Sequence, residues 1–402
     1  MRIYVHDYAG HPFQVQLSRA LARRGHTVRH GYSATNLTPQ GALARRDGDP
    51  DGFEPDPLVL ARPVDKRARS LRGLVERRRA EADYGRLLVE AVDVFAPDVV
   101  LTANTALDSL SRLMGWARST QTPVVNWLQD ILSIGTDRVL RAKVPMLGAL
   151  VGRRYLSLER RLLGEAAAVV VITDDFRPLL HGWGLADEAI HTIENWAPLD
   201  EMPPRPRDNA WAERHGLVGR RVLLYAGTLG LKHNPALLLG VAEALRDDPD
   251  ARVVVVSEGA GADWLTEHAA EAGLDNLVVL PFQPFADLPD VLGAADVLAA
   301  ILEPDAGVFS VPSKVLSYLC AARPVLLAIP PENLAAQIVT REDAGVVVPP
   351  TDAAGFAREA KNLLADADQR DRLAAHARAY AERAFDIDTI ADRFEAVLRE
   401  AA

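Results

Sequence analysis

Residues 301–330 read ILEPDAGVFSVPSKVLSYLCAARPVLLAIP, and this stretch organises the reading of the whole chain. An apolar run from Ala294 to Leu302 leads into it as a buried strand. A loop with Gly307 follows, and Ser310, Pro312 and Ser313 open a short helix. A hydroxyl there accepts a free amide, and proline fits the first helical turn. A second apolar run, Val325 to Ile329, closes the unit as another strand. Lys314 falls in the first turn, where the helix dipole disfavours a cation. A bound phosphate removes that conflict, because helix starts offer free amides to anions. The alternative is a lysine that points into solvent.

Working outward, the 402 residues suffice for two domains, each with its own core. Apolar content of 49% and charged content of 25% are those of an ordinary globular protein. A net charge of −10 argues against a nucleic-acid binder, which needs a basic footprint. The single cysteine, Cys320, excludes a disulfide framework and fits a reducing, cytoplasmic setting. No run of about 18 apolar residues is present, so no membrane span is expected. MRIYVHDYAG reads as a strand and a glycine loop, not as a cleavable signal.

Upstream, Arg2 to His6 reads as a strand, Asp7 to Pro12 as a loop with Gly10 and His11, and Phe13 to Arg24 as a helix. Gly25 stops that helix and Thr27 starts a second strand. This is the opening of a parallel α/β sheet, whose ligands sit at the carboxyl ends of strands. His11 is so placed, with either a ligand-binding or a structural part to play. Residues 37 to 60, rich in Pro, Gly, Asp and Arg, read as an exposed loop. Basic residues then cluster at Arg62, Lys66, Arg67, Arg69, Arg72, Arg77, Arg78 and Arg79, with Leu71, Leu74 and Val75 among them at helical spacing. A second such segment holds Arg138, Arg141, Lys143, Arg153, Arg154, Arg160 and Arg161, interleaved with Val144, Met146, Leu147, Leu150 and Val151. Basic amphipathic helices rest on anionic membrane surfaces, here the inner face of the cell membrane; two solvated basic helices are the other reading. Val99–Leu101, Pro123–Leu128 and Ala166–Ile172 read as further strands. The second of these ends in Gln129 and Asp130, and an Asp there can take a proton from a hydroxyl or cap a turn.

Downstream of Asn195, NWAPLDEMPPRPRD carries four prolines and no periodicity, which marks a linker. The pattern then restarts with Arg221–Ala226 as strand, GTLGLKHN as glycine loop and Pro235–Leu245 as helix. The loop lacks the Gly-Lys-Ser/Thr ending of a Walker sequence, yet Lys232 repeats what Lys314 shows, a cation beside free amides. Two such positions suit a diphosphate. Asp49–Asp51 and Asp248–Asp250 have proline between their carboxylates and read as turns, so no metal site is expected.

Taken together these segments resemble the GT-B glycosyltransferases of family 4, in the branch that assembles bacterial surface polysaccharides and glycoconjugates. The resemblance implies an α/β protein of two Rossmann-like parallel-sheet domains facing across a cleft. An acceptor domain would span 1–197, a linker 198–208 and a nucleotide-sugar domain 209–385, with a final helix at about 386–402 packing back on the first domain. AGHPFQVQLSRALARRGHTV resembles the family's acceptor loop and helix, which implies acceptor contacts at Gly10 and His11. VVNWLQDI sits where members carry a His-Asp pair, so Gln129 and Asp130 join the acceptor set. YAGTLGLKHNP is similar to the donor-phosphate segment and brings in Gly227, Thr228, Gly230 and Lys232. LPFQPFADLPDVLGAADV resembles the nucleobase segment, with Phe282, Gln283 and Pro284 as base contacts. GVFSVPSKVLSYLCAARPV resembles the last donor segment, which adds Gly307, Val308, Phe309, Ser310, Ser313, Lys314 and Ser317. Where members place two Glu residues eight apart, this chain has Phe309 and Ser317; Glu303 or Asp305 is expected to replace the sugar-side carboxylate.

The implied reaction is sugar transfer with retention, from a nucleoside diphosphate sugar to a hydroxyl of a saccharide, lipid-linked or small-molecule acceptor. A UDP-sugar is favoured, with dTDP- or GDP-sugars as alternatives. Lys232, His11 and Asp130 are the catalytic candidates, and no metal or other cofactor is expected. Two rival readings are a sugar-nucleotide 2-epimerase of the same fold and a non-catalytic nucleotide-sugar-binding subunit.

Overall fold

In the computed structural model the described residues are 1–35, 40–60, 71–143, 145–230, 233–304 and 311–402. Lys232, Asp305, Gly307, Val308, Phe309, Ser310, Arg62, Lys66, Arg67, Arg69 and Val144 lie outside them. So do the side chains of Leu71, Arg72, Leu74, Val75, Arg77, Arg138, Lys143, Met146 and Leu147. The chain forms two compact units, Met1–Glu194 with Ile387–Ala402, and Asn195–Asp386.

In the first unit the strands are β1 (Arg2–Asp7), β2 (Thr27–Ser33), β3 (Phe53–Leu58), β4 (Val99–Ala103), β5 (Val124–Leu128), β6 (Ala168–Val171) and β7 (Ile190–Thr192). In the second they are β8 (Arg221–Ala226), β9 (Ala251–Val256), β10 (Leu277–Leu280), β11 (Val297–Ile301), β12 (Val325–Ala328) and β13 (Gly345–Val348). The first sheet runs β3-β2-β1-β4-β5-β6-β7 and the second β10-β9-β8-β11-β12-β13, with every pairing parallel. Helices cover both faces of such sheets, so the strands are apolar without alternation: Val99, Val100 and Leu101, like Val253, Val254 and Val255, are fully buried. In each sheet the winding reverses at the central pair, β1/β4 in the first and β8/β11 in the second. That reversal opens a crevice at the strands' carboxyl ends, where ligands of doubly wound sheets bind.

Strand β3 corrects the reading of residues 37 to 60 as loop. Its sequence FEPDPL holds two prolines, which ordinarily argue against a strand. Val28 N and Ala34 N donate to the carbonyls of Gly52 and Leu58. The even-numbered residues of β3 therefore face β2, and Pro55 and Pro57 turn their missing N–H groups to the open edge. There proline costs no ladder bond and denies a docking strand its donors.

The helix Leu71–Phe95 lays Tyr84, Leu88, Val92 and Phe95 on the first sheet at near-fourfold spacing. The last helix, Ile387–Ala401, returns to the first unit and buries Ile390, Ala391, Phe394, Val397 and Leu398. The Phe394 ring lies 4.6 Å from that of Trp127 on β5. Arg24 ties the helix from outside, through Asp392 at 2.6 Å and Glu395 at 3.3 Å. Among the described residues no helix is long and apolar enough to cross a membrane. Asp49 accepts from Arg19 at 2.7 Å, and Asp248 and Asp250 pair with Arg221 and Arg220 at 2.6 Å each.

Candidate active site

In the second unit the loop after β8 and the helix Lys314–Cys320 meet at the β8/β11 reversal. Ser313 stands at the helix start, but its hydroxyl makes no capping bond, contrary to the sequence expectation. The side chain of Lys314 does not reach for solvent either. Its ammonium donates to the Tyr225 hydroxyl and lies 3.7 Å from the centre of that ring. Tyr225 is fully buried and donates in turn to the Thr228 carbonyl at 2.8 Å, so phenol, lysine and glycine loop are linked. Gly227 has φ of +131°, a region that L side chains rarely adopt, and a Cβ there would come within 3.1 Å of Lys314 Cε and Nζ. Tyr318, one helical turn on, exchanges two hydrogen bonds with the Ala226 backbone and pins helix to strand.

No carboxylate faces Lys314 among the described residues, and desolvation pushes its ammonium down to about 7. Lys314 is half-buried, and a desolvated cation without a carboxylate is costly, a cost that an arriving anion relieves. Nearby, Leu229 N donates to Ser257 Oγ at 3.1 Å and Gly230 N to His233 Nδ1 at 3.0 Å, which shapes the rest of the loop. Thr228 and Gly230 are exposed, and Glu303 follows β11 with no partner among the described residues. Ser317 is half-buried on the Lys314–Cys320 helix. After β10, Phe282 N donates to Glu258 at 3.2 Å and Pro284 is exposed. The Gln283 amide is occupied, accepting from Trp211 Nε1 at 3.0 Å and donating to the Pro281 carbonyl at 2.9 Å.

In the first unit the β1/β4 reversal is built around Asp7, which the sequence reading passed over as loop. It ends β1 fully buried. Its carboxylate accepts from Ala9 N at 3.0 Å, from His11 N, from Asn104 Nδ2 at 3.2 Å and from His11 Nδ1 at 3.3 Å. The Gln14 amide nitrogen, in its satisfied orientation, adds contacts at 2.9 and 3.0 Å. Burial alone would raise the Asp7 carboxyl, but the charge and hydrogen bonds of His11 outweigh it and hold the group at about 2. Burial would likewise lower His11, but Asp7, and beyond it Asp130, raises it above its ordinary value. Gly10, at φ +77°, makes this turn possible, and a Cβ there would lie 2.7 Å from Leu43.

Asn104 and Asp130 also border a small pocket of about 20 Å³ with Thr102, Asn126, Gln129 and Glu159, about the room of one water. Glu159 is buried and accepts from the amides of Leu132 at 3.1 Å and Ser133 at 3.0 Å, capping the Leu132–Lys143 helix. Gly10, His11, Gln129 and Asp130 thus lie in one neighbourhood, joined by Asp7 and Asn104. A charged residue closing an otherwise buried strand is the signal that would have found Asp7. Asn104 sits at φ +53°, and its only trace in the sequence is a polar end to the VVLTAN run. Among the described residues no cluster of three or more His, Cys, Asp and Glu side chains could hold a metal ion.

Residues 11–196 match the model of the glycosyl transferase 4-like domain, and residues 208–380 that of the glycosyl transferases group 1. The chain is 26% identical over 254 residues to the putative colanic acid biosynthesis glycosyl transferase WcaI of Escherichia coli, matching 61% of this chain and 60% of that one. It is 29% identical over 294 residues to the D-inositol 3-phosphate glycosyltransferase of Xylanimonas cellulosilytica, matching 68% of this chain and 66% of that one. The chain spans under two thirds of the length of either relative. Among solved structures, Anabaena HepE in complex with UDP and glucose superposes with a TM-score of 0.71 at 17% identity, over 99% of both chains. Sucrose-phosphate synthase from Thermosynechococcus elongatus superposes with a TM-score of 0.73 at 16% identity, over 100% of this chain and 98% of that one. With one domain model on each unit and GT-B enzymes as structural neighbours, the chain belongs to the GT-B glycosyltransferases.

Proposed function

We propose that the protein transfers a sugar, with retention, from a nucleoside diphosphate sugar to a hydroxyl of a saccharide, lipid-linked or small-molecule acceptor in surface-polysaccharide or glycoconjugate assembly. Residues 209–385 would take the nucleotide sugar and 1–197 the acceptor. The observation that supports this most is Lys314: a desolvated ammonium at the sheet reversal, without a carboxylate among the described residues. Charge accumulates on the diphosphate as its bond to the sugar breaks, and preplaced cations and amides stabilise it. Lys314, Lys232 and the amides near Gly227 and Gly230 would supply that positive field without a metal. The phosphate contacts would extend to Ser310 and Ser313, the base contacts to Phe282 and Pro284. Glu303 would face the sugar. On the other unit His11, Gln129 and Asp130 would hold the acceptor, and either Asp130 or the departing diphosphate takes the proton.

UDP is the favoured nucleotide, in keeping with HepE, whose structure holds UDP and glucose. Ser317 offers the ribose no carboxylate, which keeps dTDP-sugars in play. A thermal-shift panel of UDP, GDP, dTDP and their sugars tests this, because a ligand of the native state raises Tm. A response to UDP and UDP-sugars is expected; indifference to all of them would remove the donor assignment. Replacing Lys232 by Ala should lower turnover by about 10²–10³-fold in a folded protein. EDTA should leave turnover unchanged.

A peripheral position on the anionic inner membrane face is part of the same reading. It is supported by the Pro145–Gly164 helix, where Leu150 is 67% exposed near exposed Arg153 and Arg154. Other basic residues are already engaged: Arg78 by Asp108 at 3.1 Å, Arg141 by Asp137 at 2.7 Å and Arg160 by the Trp183 carbonyl at 2.9 Å. Co-sedimentation with phosphatidylglycerol vesicles at low salt, lost on Arg153→Glu with Arg154→Glu, is the expected result.

A further inference from the structure

We propose that Asp7 is a positioning residue, which fixes the tautomer, orientation and charge of His11 so that His11 Nε2 meets the acceptor. This rests on the assignment of the first unit to the acceptor. Asp7 has no access to solvent, whereas the His11 side chain is 33% exposed, so the two halves of the pair face different surroundings. The Nδ1 side of the imidazole lies 3.3 Å from both Asp7 oxygens and 3.3 Å from Asn104 Nδ2. Of these neighbours only the carboxylate is an obligate acceptor, so Nδ1 carries the hydrogen. Nε2 has no partner among the described residues.

The carboxylate itself cannot turn. Its oxygens are held by Ala9 N and His11 N from the loop, by Asn104 from the end of β4 and by Gln14 from the first helix. Loop residues 8 to 11 are therefore wrapped on a charge that belongs to the central strand. The charged and titratable groups facing this pair are Asp130 beyond β5, which adds to the positive character of His11, and, beside Asp7, the buried His6 on β1, His30 on β2 and Tyr84 on the Leu71–Phe95 helix. Asn104 donates to Asp7 and also lines the pocket that reaches Gln129 and Asp130, so one side chain connects the positioned histidine to the remaining acceptor candidates. The acceptor group that fits Nε2 is a hydroxyl or other oxygen able to accept a hydrogen bond from an imidazolium, or to give one to the neutral ring.

The test uses the full chain labelled with ¹⁵N-histidine, with UDP-glucose hydrolysis as the activity probe. In the wild type the neutral His11 ring should give the Nδ1–H pattern of shifts, and its titration should lie above the ordinary histidine value of about 6.5. In Asp7→Asn the titration should fall by about one unit or more. The kcat for UDP-glucose hydrolysis should fall about 30-fold or more, while KM stays within about twofold, because the donor belongs to the other unit. An Nε2–H pattern in the wild type, which needs no variant to fold, would overturn the proposal. So would an unmoved His11 titration in Asp7→Asn. A wild type that turns over no UDP-glucose but shows the expected titrations would fault the donor reading and leave the positioning of His11 supported.

Discussion

At the reversal of the first sheet the chain buries a carboxylate, Asp7, and surrounds it with donors from strand, loop and helix. At the same place in the second sheet it half-buries an ammonium, Lys314, and the described residues give it a phenol and no carboxylate. The first charge is satisfied within the fold and can only hold its neighbours in place. The second has no carboxylate among the described residues, which is the ground for proposing an anion there. Two sheets with one winding plan thus place opposite charges at corresponding points, one met by donors and one without a carboxylate among the described residues.

The contrast can be broken at Lys314 first. Lys314→Met keeps the length of the side chain and removes the charge. UDP affinity is expected to fall about 10²–10³-fold, while Tm holds or rises because a half-buried cation without a carboxylate is gone. Titration calorimetry and a thermal scan check the two halves of that statement. The next effect is one of stability, and it separates the units. Phe394→Ala removes a fully buried ring and should cost about 3–5 kcal/mol. It should lower the transition of the first unit only, leaving the UDP-induced shift of the second intact in calorimetric scans.

A smaller effect concerns pH. The Lys314 ammonium titrates near 7 in the folded chain against 10.5 when unperturbed. Its burial cost is therefore full below about pH 7 and is relieved as pH rises toward about 10.5, where the unfolded chain also loses the proton. An anion needs the charged form, so UDP affinity should weaken roughly tenfold between pH 7 and 8.5, with proton uptake on binding. Calorimetry in buffers of different ionisation enthalpy measures it; a flat profile would contradict the open cation. The smallest effect belongs to the sheet edge. Pro55→Val with Pro57→Val should change stability by less than about 0.5 kcal/mol, yet raise self-association in light scattering.

Much of this architecture could be read from the residues alone, because strands buried on both faces are continuous apolar runs. The run 294–302 and the run 325–329 became β11 and β12, and Arg221–Ala226 became β8. Strand β3 escaped because its prolines obey a rule for sheet edges, and an edge is a property of the assembled sheet. The candidate residues were legible as followers of strand ends: His11, Asp130 and Lys314 all come after a strand of a parallel sheet, where ligands of such sheets bind. Asp7 escaped because a strand's last residue looks like a loop's first until its neighbours are known. Tyr225 escaped because an aromatic inside an apolar strand gives no sign that its hydroxyl will meet a lysine 89 positions later.

The return of residues 387–401 to the first unit has a consequence for biosynthesis. On the ribosome, β1 to β7 emerge early, but the face of the sheet that Phe394 will cover stays bare until all of Asn195–Asp386 has been translated. The unit begun first is finished last. For that interval an apolar surface around Trp127 is open to chaperones, and a stalled or prematurely terminated chain would expose it permanently.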